Sequence, residues 1–170
     1  KAHPQDNTAK TILQKLMSIN HDSNWQRRAV FVEDYDQEIA RYLVHGVDVW
    51  MNVPRRPMEA SGTSGMKAAM NGALNFSVLD GWWIEGYNEV NGLAIGGLDA
   101  DDNDAVMDAA DAEALYQTLE NEIIPAYYDI GDNGLSSEWI ARMRNSIATL
   151  TPQFSSDRMV ADYLSNIYNL

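Results

Sequence analysis

One nine-residue stretch concentrates the groups able to do chemistry: Glu59-Ala-Ser-Gly-Thr-Ser-Gly-Met-Lys67. Gly62 and Gly65 let the backbone approach a ligand closely, and Thr63 and Ser64 add hydroxyl donors. The first N–H groups of a helix have no internal partner and carry partial positive charge, which suits a phosphate. Lys67 falls about one turn into such a helix. Held there and partly desolvated, its amine could act as a point charge or form a Schiff base. From spacing alone a plainer reading, a solvent-facing helix cap with an exposed lysine, has the better claim, because short Gly/Ser motifs match by chance. The stretch is not a Walker P-loop, which needs a wider glycine spacing and a Lys followed by Ser or Thr; here Ala68 follows Lys67.

The elements that must position these residues read as an alternation. Residues 6–19 place Ala9, Ile12, Leu13, Leu16 and Met17 at helical spacing, with Asp6 or Asn7 able to cap. His21-Asp-Ser-Asn24 breaks that helix, and Ala29-Val-Phe-Val-Glu33 reads as a buried strand. A helix from Asp36 stops at Gly46, and Val47–Met51 is a second strand. Pro54-Arg-Arg-Pro57 must turn, since two prolines do not fit a central strand. The Gly/Ser loop 61–65 leads to a short helix over Met66–Asn71, then a strand over Ala73–Leu79 and a weak one at Leu93–Ile95. The glycine-rich turn therefore sits at the carboxyl end of a strand, where open α/β sheets bind ligands. Beyond residue 103 the pattern is helical: 104–121, with Ile123–Tyr128 continuing past Pro125, then 137–150 capped by Ser136 or Ser137, and 156–168 after Pro152. The whole predicts an α/β domain with a parallel sheet and an all-helical tail.

Composition narrows the function classes. Of 170 residues, 45% are hydrophobic and 22% charged, enough apolar material for an ordinary core. The net charge of −13 repels phosphate backbones and argues against a nucleic-acid partner. No apolar run is long enough to span a membrane and no basic-then-apolar leader opens the sequence, so no membrane association is expected. With no cysteine there can be no disulfide, thiolate metal site or cysteine nucleophile; this fits a reducing compartment, and cytoplasmic location is the expectation.

Other residues read more blandly. Trp82, Trp83 and Tyr87 could stack on sugar faces, but core packing is the better account of such aromatics. Arg55 and Arg56 could grip phosphate or an acidic partner loop, or be solvated turn charges. Asp99-Ala-Asp-Asp-Asn-Asp104 lacks the sixth-position glycine and twelfth-position glutamate of an EF-hand loop and reads as an acidic lead-in to a helix. His3, His21 and His45 share no metal-ligand spacing, so no metal is expected; His45 suits a helix C-terminus.

The longer run Pro57-Met-Glu-Ala-Ser-Gly-Thr-Ser-Gly-Met-Lys-Ala-Ala-Met-Asn-Gly-Ala-Leu74, followed by Leu79-Asp-Gly81, resembles the pyridoxal-phosphate segment of α-glucan (glycogen) phosphorylases, in their shorter bacterial and archaeal branch. The likeness extends over nearly the whole chain. Lys1-Ala-His-Pro4, Phe31-Val-Glu-Asp-Tyr35 and the segment from Tyr127-Tyr-Asp129 to Leu150-Thr-Pro152 resemble further stretches of that family. The resemblance implies that Lys67 holds pyridoxal 5′-phosphate as an imine. Thr63, Ser64 and Gly65 then contact the cofactor phosphate, and Tyr35 lies beside the cofactor. Glu59, Ser61 and Gly62 bind the transferred glucosyl unit, and Lys67 and Glu59 are the expected catalytic residues. Where the mammalian-type motif has Gly-Asn this chain has Ser64-Gly65, and Asp36 replaces a basic residue.

The implied activity is transfer of a glucosyl unit between inorganic phosphate and α-1,4-glucan ends, through glucose 1-phosphate, with retention. The implied fold is the C-terminal part of a two-domain GT-B glycosyltransferase fold. Residues 1–150 would be a partial Rossmann-like cofactor domain, and 151–170 a helix crossing to an N-terminal domain. On that reading the chain is a C-terminal fragment, inactive alone, and its last helix could support a homodimer. Two alternatives remain from other classes. A nucleotide-sugar glycosyltransferase of the same fold carries Glu-x7-Glu where this chain has Glu59-x7-Lys67, and a lysine cannot accept hydrogen bonds from a ribose. A non-catalytic carbohydrate-binding or assembly module is the other.

Overall fold

The computed structural model describes residues 3–19, 24–25, 28–98 and 103–168. The chain divides into two compact units, Lys1–Tyr42 and Leu43–Leu170. In the first, α1 (Asn7–Ile19) is capped by Asp6, whose Oδ1 accepts the Ala9 N–H at 2.8 Å. Asp36 caps α2 (Gln37–Gly46), which runs across the division at Tyr42, in the same way, taking the Ile39 N–H at 2.9 Å. His45 lies in the last turn of α2, as expected. The expected strand over Ala29–Glu33 does not form: these residues lie outside any strand, with Val30 exposed. A β-favouring run becomes a strand only where a neighbour pairs with it and a face covers it. Lys1-Ala2, most of the helix-breaking segment at 21–24 and Asp99–Asp102 lie outside the described residues.

The second unit carries a parallel three-stranded sheet in the order β1 (Val49–Asn52), β2 (Leu74–Val78), β3 (Leu93–Ile95). Val49 registers with Leu74 and Phe76 with Leu93. Parallel neighbours need crossovers. Helix α3 (Thr63–Met70) joins β1 to β2, and α4 (Trp82–Gly86) lies between β2 and β3. Central β2 is buried on both faces. Leu74, Phe76 and Val78 point one way and pack with Leu93, Ile95, Ile123, Ala126 and Trp139. On the α3 side a second core joins Ala69, Trp82, Trp83 and Leu150, and a third joins Val44, Ala68 and Ala73.

The tail is helical, with two departures from the sequence reading. Helix α5 (Asp104–Thr118) passes without a break through a π-helical turn, Leu119–Ile123, into α6 (Ile124–Tyr128). Pro125 lacks an N–H to give to the fourth carbonyl back, and the wider turn falls just ahead of it. Helix α7 (Ser137–Gln153) runs past Leu150 and contains Pro152; it ends where the Phe154 N–H returns to the Leu150 carbonyl. Of the two candidate caps Ser136 is the one used, accepting the Trp139 N–H. Helix α8 (Ser156–Asn166) follows, capped by Ser155.

Candidate functional site

The glycine-rich segment begins its helix three residues earlier than the spacing suggests, at Thr63 rather than Met66. Gly62 makes this possible: it sits at φ +89°, a left-handed conformation that costs glycine little. A Cβ at Gly62 would also stand 3.1 Å from Cδ1 of Trp82. With glycine as N-cap, no side chain closes the start of α3. Thr63, Ser64 and Gly65 become its first turn, so their N–H groups belong to the end able to take an anion. The Gly65 N–H turns back to the Gly62 carbonyl at 3.1 Å. Gly65 itself is buried, and a Cβ there would lie 2.7 Å from Asn75 Oδ1 and 3.1 Å from the Trp82 ring.

Lys67 lies on the second turn of α3 and is exposed, as the plainer reading of the spacing has it, and not partly desolvated. Its Nζ reaches Thr63 Oγ1, one turn back, at 3.5 Å. Among the described residues no carboxylate forms a salt bridge with it. Just ahead of the helix, Glu59 is half-buried. Its Oε2 accepts from Asn52 Nδ2, at the end of β1, at 3.4 Å, and its Cγ is 3.5 Å from where a Gly62 Cβ would be. Glu59, Ser61 and Gly62 thus occupy one loop, continuous with the helix that carries Thr63, Ser64, Gly65 and Lys67. Tyr35 belongs to the other unit, just before α2, with its side chain exposed.

Three groups take no role in the sequence reading: the Asp80 carboxylate, the Trp82 N–H and the Asn75 amide. Asp80, buried, takes the Glu59 N–H on Oδ2 and the Gly81 N–H on Oδ1, each at 2.9 Å. The Trp82 N–H bonds the Ser61 carbonyl at 2.9 Å. Asn75, fully buried beneath Gly65, has no partner for either amide atom among the described residues. An Asp-Gly pair closing a buried strand was the available signal for the first; nothing local marks Asn52 or Asn75.

Other candidates resolve against ligand roles. Trp82 and Trp83 are core: Trp82 meets Phe154 edge-on at 5.0 Å, and Trp83 Nε1 donates to the Leu93 carbonyl. Neither arginine of the Pro54–Pro57 turn is a free turn charge. Arg55 pairs with Asp104 and Asp108 on α5 at 2.9 and 2.5 Å. The Asp108 hydrogen bond, with the charges of both carboxylates, raises its pKa further above the usual arginine value. Arg56 pairs with Asp111 at 2.8 Å and donates to the Gly97 carbonyl. Among the described residues no three His, Asp or Glu side chains gather as a metal site, and no helix is long and apolar enough to cross a membrane.

Comparison with known proteins bears on the same residues. The family described as carbohydrate phosphorylase matches residues 1–123, a span that includes Glu59 through Lys67. A glycogen phosphorylase of Aquifex aeolicus is 49% identical over 169 residues, covering 99% of this chain and 24% of the relative. A maltodextrin phosphorylase of Thermococcus litoralis is 46% identical over 169 residues, 20% of its length, and a glycogen phosphorylase of Mycobacterium tuberculosis is 39% identical over 168. The chain thus spans about a fifth to a quarter of the length of these relatives. A glycine-started helix bearing Lys67 one turn in, on a parallel sheet, within a match of that extent, places this chain in the carbohydrate phosphorylase family.

Proposed function

We propose that this chain supplies part of the site of an α-glucan phosphorylase, which moves glucosyl units between inorganic phosphate and the ends of an α-1,4-glucan, with pyridoxal 5′-phosphate held at Lys67. The observation that carries the reading is the open first turn of α3, uncapped by any side chain, with an amine one turn further on that lacks a carboxylate partner among the described residues. The residues present fit the cofactor. A helix start uncapped by any side chain, with the Thr63 hydroxyl, suits its phosphate, an accessible lysine amine suits its aldehyde, and the bare Cα of Gly65 keeps the turn tight.

In this reading Lys67 tethers the cofactor, and Thr63, Ser64 and Gly65 hold its phosphate. Glu59 accepts hydrogen bonds from sugar hydroxyls, Ser61 adds a hydroxyl and Gly62 its N–H, which together orient the glucosyl unit for transfer. Asn52 steadies the Glu59 carboxylate. When bound, the cofactor would supply acid–base chemistry through its phosphate group, toward the substrate phosphate. Glucose 1-phosphate is then the product or donor, and the enzyme works in the cytoplasm, where its phosphate substrate and a reducing environment are found together.

The test is chemical. The chain is incubated with pyridoxal phosphate, reduced with borohydride and mapped by mass spectrometry. A pyridoxyl group on Lys67, and none in Lys67→Ala, is the expected result. Equal labelling of Lys10 and Lys15, or none at Lys67, would refute the assignment.

A further inference from the structure

A buried carboxylate is costly unless its lone pairs are met by donors. Asp80 is 6% exposed, and among the described residues the donors that meet it are backbone groups. One is the N–H of its neighbour Gly81. The other is the N–H of Glu59, 21 residues earlier in the chain. The two residues after Asp80 bind the same loop. The Trp82 N–H holds the Ser61 carbonyl at 2.9 Å. Gly81, at φ +54°, lies so close that a Cβ would stand 2.6 Å from the Ser61 oxygen and 3.1 Å from the Glu59 carbonyl oxygen. Trp82 also walls Gly62 and Gly65. The corner Asp80-Gly81-Trp82 is thus a mould for the segment Glu59–Gly62, anchored in turn by the packing of Trp82 on Trp83 and Phe154.

We propose that Asp80 is a positioning residue: through the Glu59 N–H it fixes the loop so that the Glu59 carboxylate faces the glucosyl unit beside the open start of α3. The proposal rests on the reading above that Glu59, Ser61 and Gly62 meet the glucosyl unit. A carboxylate is needed because both partners are donors. Asparagine keeps the shape but offers one acceptor oxygen and turns its own N–H toward the second donor, so one of the two bonds is lost.

The test compares Asp80→Asn with Glu59→Gln. In the holoenzyme carrying this segment, Asp80→Asn is expected to lower kcat/KM for glucose 1-phosphate about tenfold, the scale of one lost hydrogen bond to a charged group. The cofactor's absorbance and its stoichiometry on Lys67 stay unchanged. In the 170-residue chain, amide resonances of Glu59 and Gly81 shift while those of Leu74–Val78 do not. Wild-type kinetics in Asp80→Asn alongside impaired Glu59→Gln would overturn the proposal, as would parallel loss of cofactor, which marks a merely structural role. Unaffected Glu59→Gln kinetics would instead remove the glucosyl assignment, leaving the amide shifts to judge the clamp. Hydrogen exchange on the unmodified chain needs no variant: slow exchange at the Glu59 and Gly81 amides is expected, and unprotected exchange at either would sink the clamp.

Discussion

Gly65 has no space for a side chain, and what surrounds it decides the effect of adding one. The added methyl of Gly65→Ala would meet Asn75 Oδ1 at 2.7 Å and the Trp82 ring at 3.1 Å. Both neighbours are buried and cannot swing away. Alanine favours helix over glycine by about 1 kcal/mol, but overpacking at a rigid contact costs about 1–3 kcal/mol. We therefore expect Gly65→Ala to lower the urea midpoint, and an unchanged or higher midpoint would contradict the packing described. Lys67 and Glu59 should separate in function. In the holoenzyme, Lys67→Ala is expected to lose the cofactor on gel filtration, because the proposed function makes that amine the covalent tether. Glu59→Gln is expected to keep it and weaken glucosyl binding, because an amide accepts from sugar hydroxyls less strongly than a carboxylate. A Lys67→Ala enzyme that elutes with its cofactor would contradict the first. At this scale the motif itself was legible, because the chemistry sits within nine consecutive residues. Asp80 and Asn75 were not, since their importance comes from contacts made only after β2 and α3 pack together.

Among the elements, the helices were read well where capping and apolar spacing agree. Asp6, Asp36 and Ser136 all cap as their types suggest. The misses have two causes: tertiary surroundings outweighed local preference, or the element carries no local signal. Ala29–Glu33 has β-favouring residues and, among the described residues, no pairing strand. Helix α4 is five residues long and shows no period of its own. The π-helical turn before Pro125 has no sequence signature. Two interactions that bind elements together can be ranked. Arg55, exposed, should matter little, and Arg55→Ala should leave the midpoint nearly unchanged. Arg56 and Asp111 are 11% and 18% exposed. Arg56→Ala leaves a mostly buried carboxylate unpaired and should cost about 2–3 kcal/mol, below the full range for a wholly buried pair. Equal effects of the two substitutions on denaturant midpoint would contradict this ordering. Ser136 joins α6 to α7 by accepting the Trp139 N–H and donating to the Ala126 carbonyl at 2.6 Å. Ser136→Ala should cost about 1–2 kcal/mol, with α7 amides exchanging faster, and unchanged exchange there would argue against a capping role.

At the scale of the whole molecule, the open question is what covers α8. No residue of the helix is buried. Met159, Val160, Tyr163, Leu164 and Ile167 recur at helical spacing and are all at least 42% exposed. Apolar side chains at i, i+1, i+4, i+5 and i+8 share one face, while Arg158 and Asp162 pair on the polar side. A continuous apolar stripe of this kind marks an interface. In the 170-residue chain the available occupant is a second copy, so we expect dimers. The chain's charge of −13 opposes that association. Since salt screens charge over about 10 Å at 0.1 M and leaves apolar contact intact, dimerisation should strengthen as salt is raised. This is the reverse of an interface built on ion pairs. Light scattering across a salt series reads the outcome directly. The control is Leu164→Glu together with a chain ending at Ser155, which keeps Phe154 against Trp82. Both should be monomeric at every salt concentration. A parent that stays monomeric at high protein and high salt would leave the stripe to some other partner and remove self-association as its role.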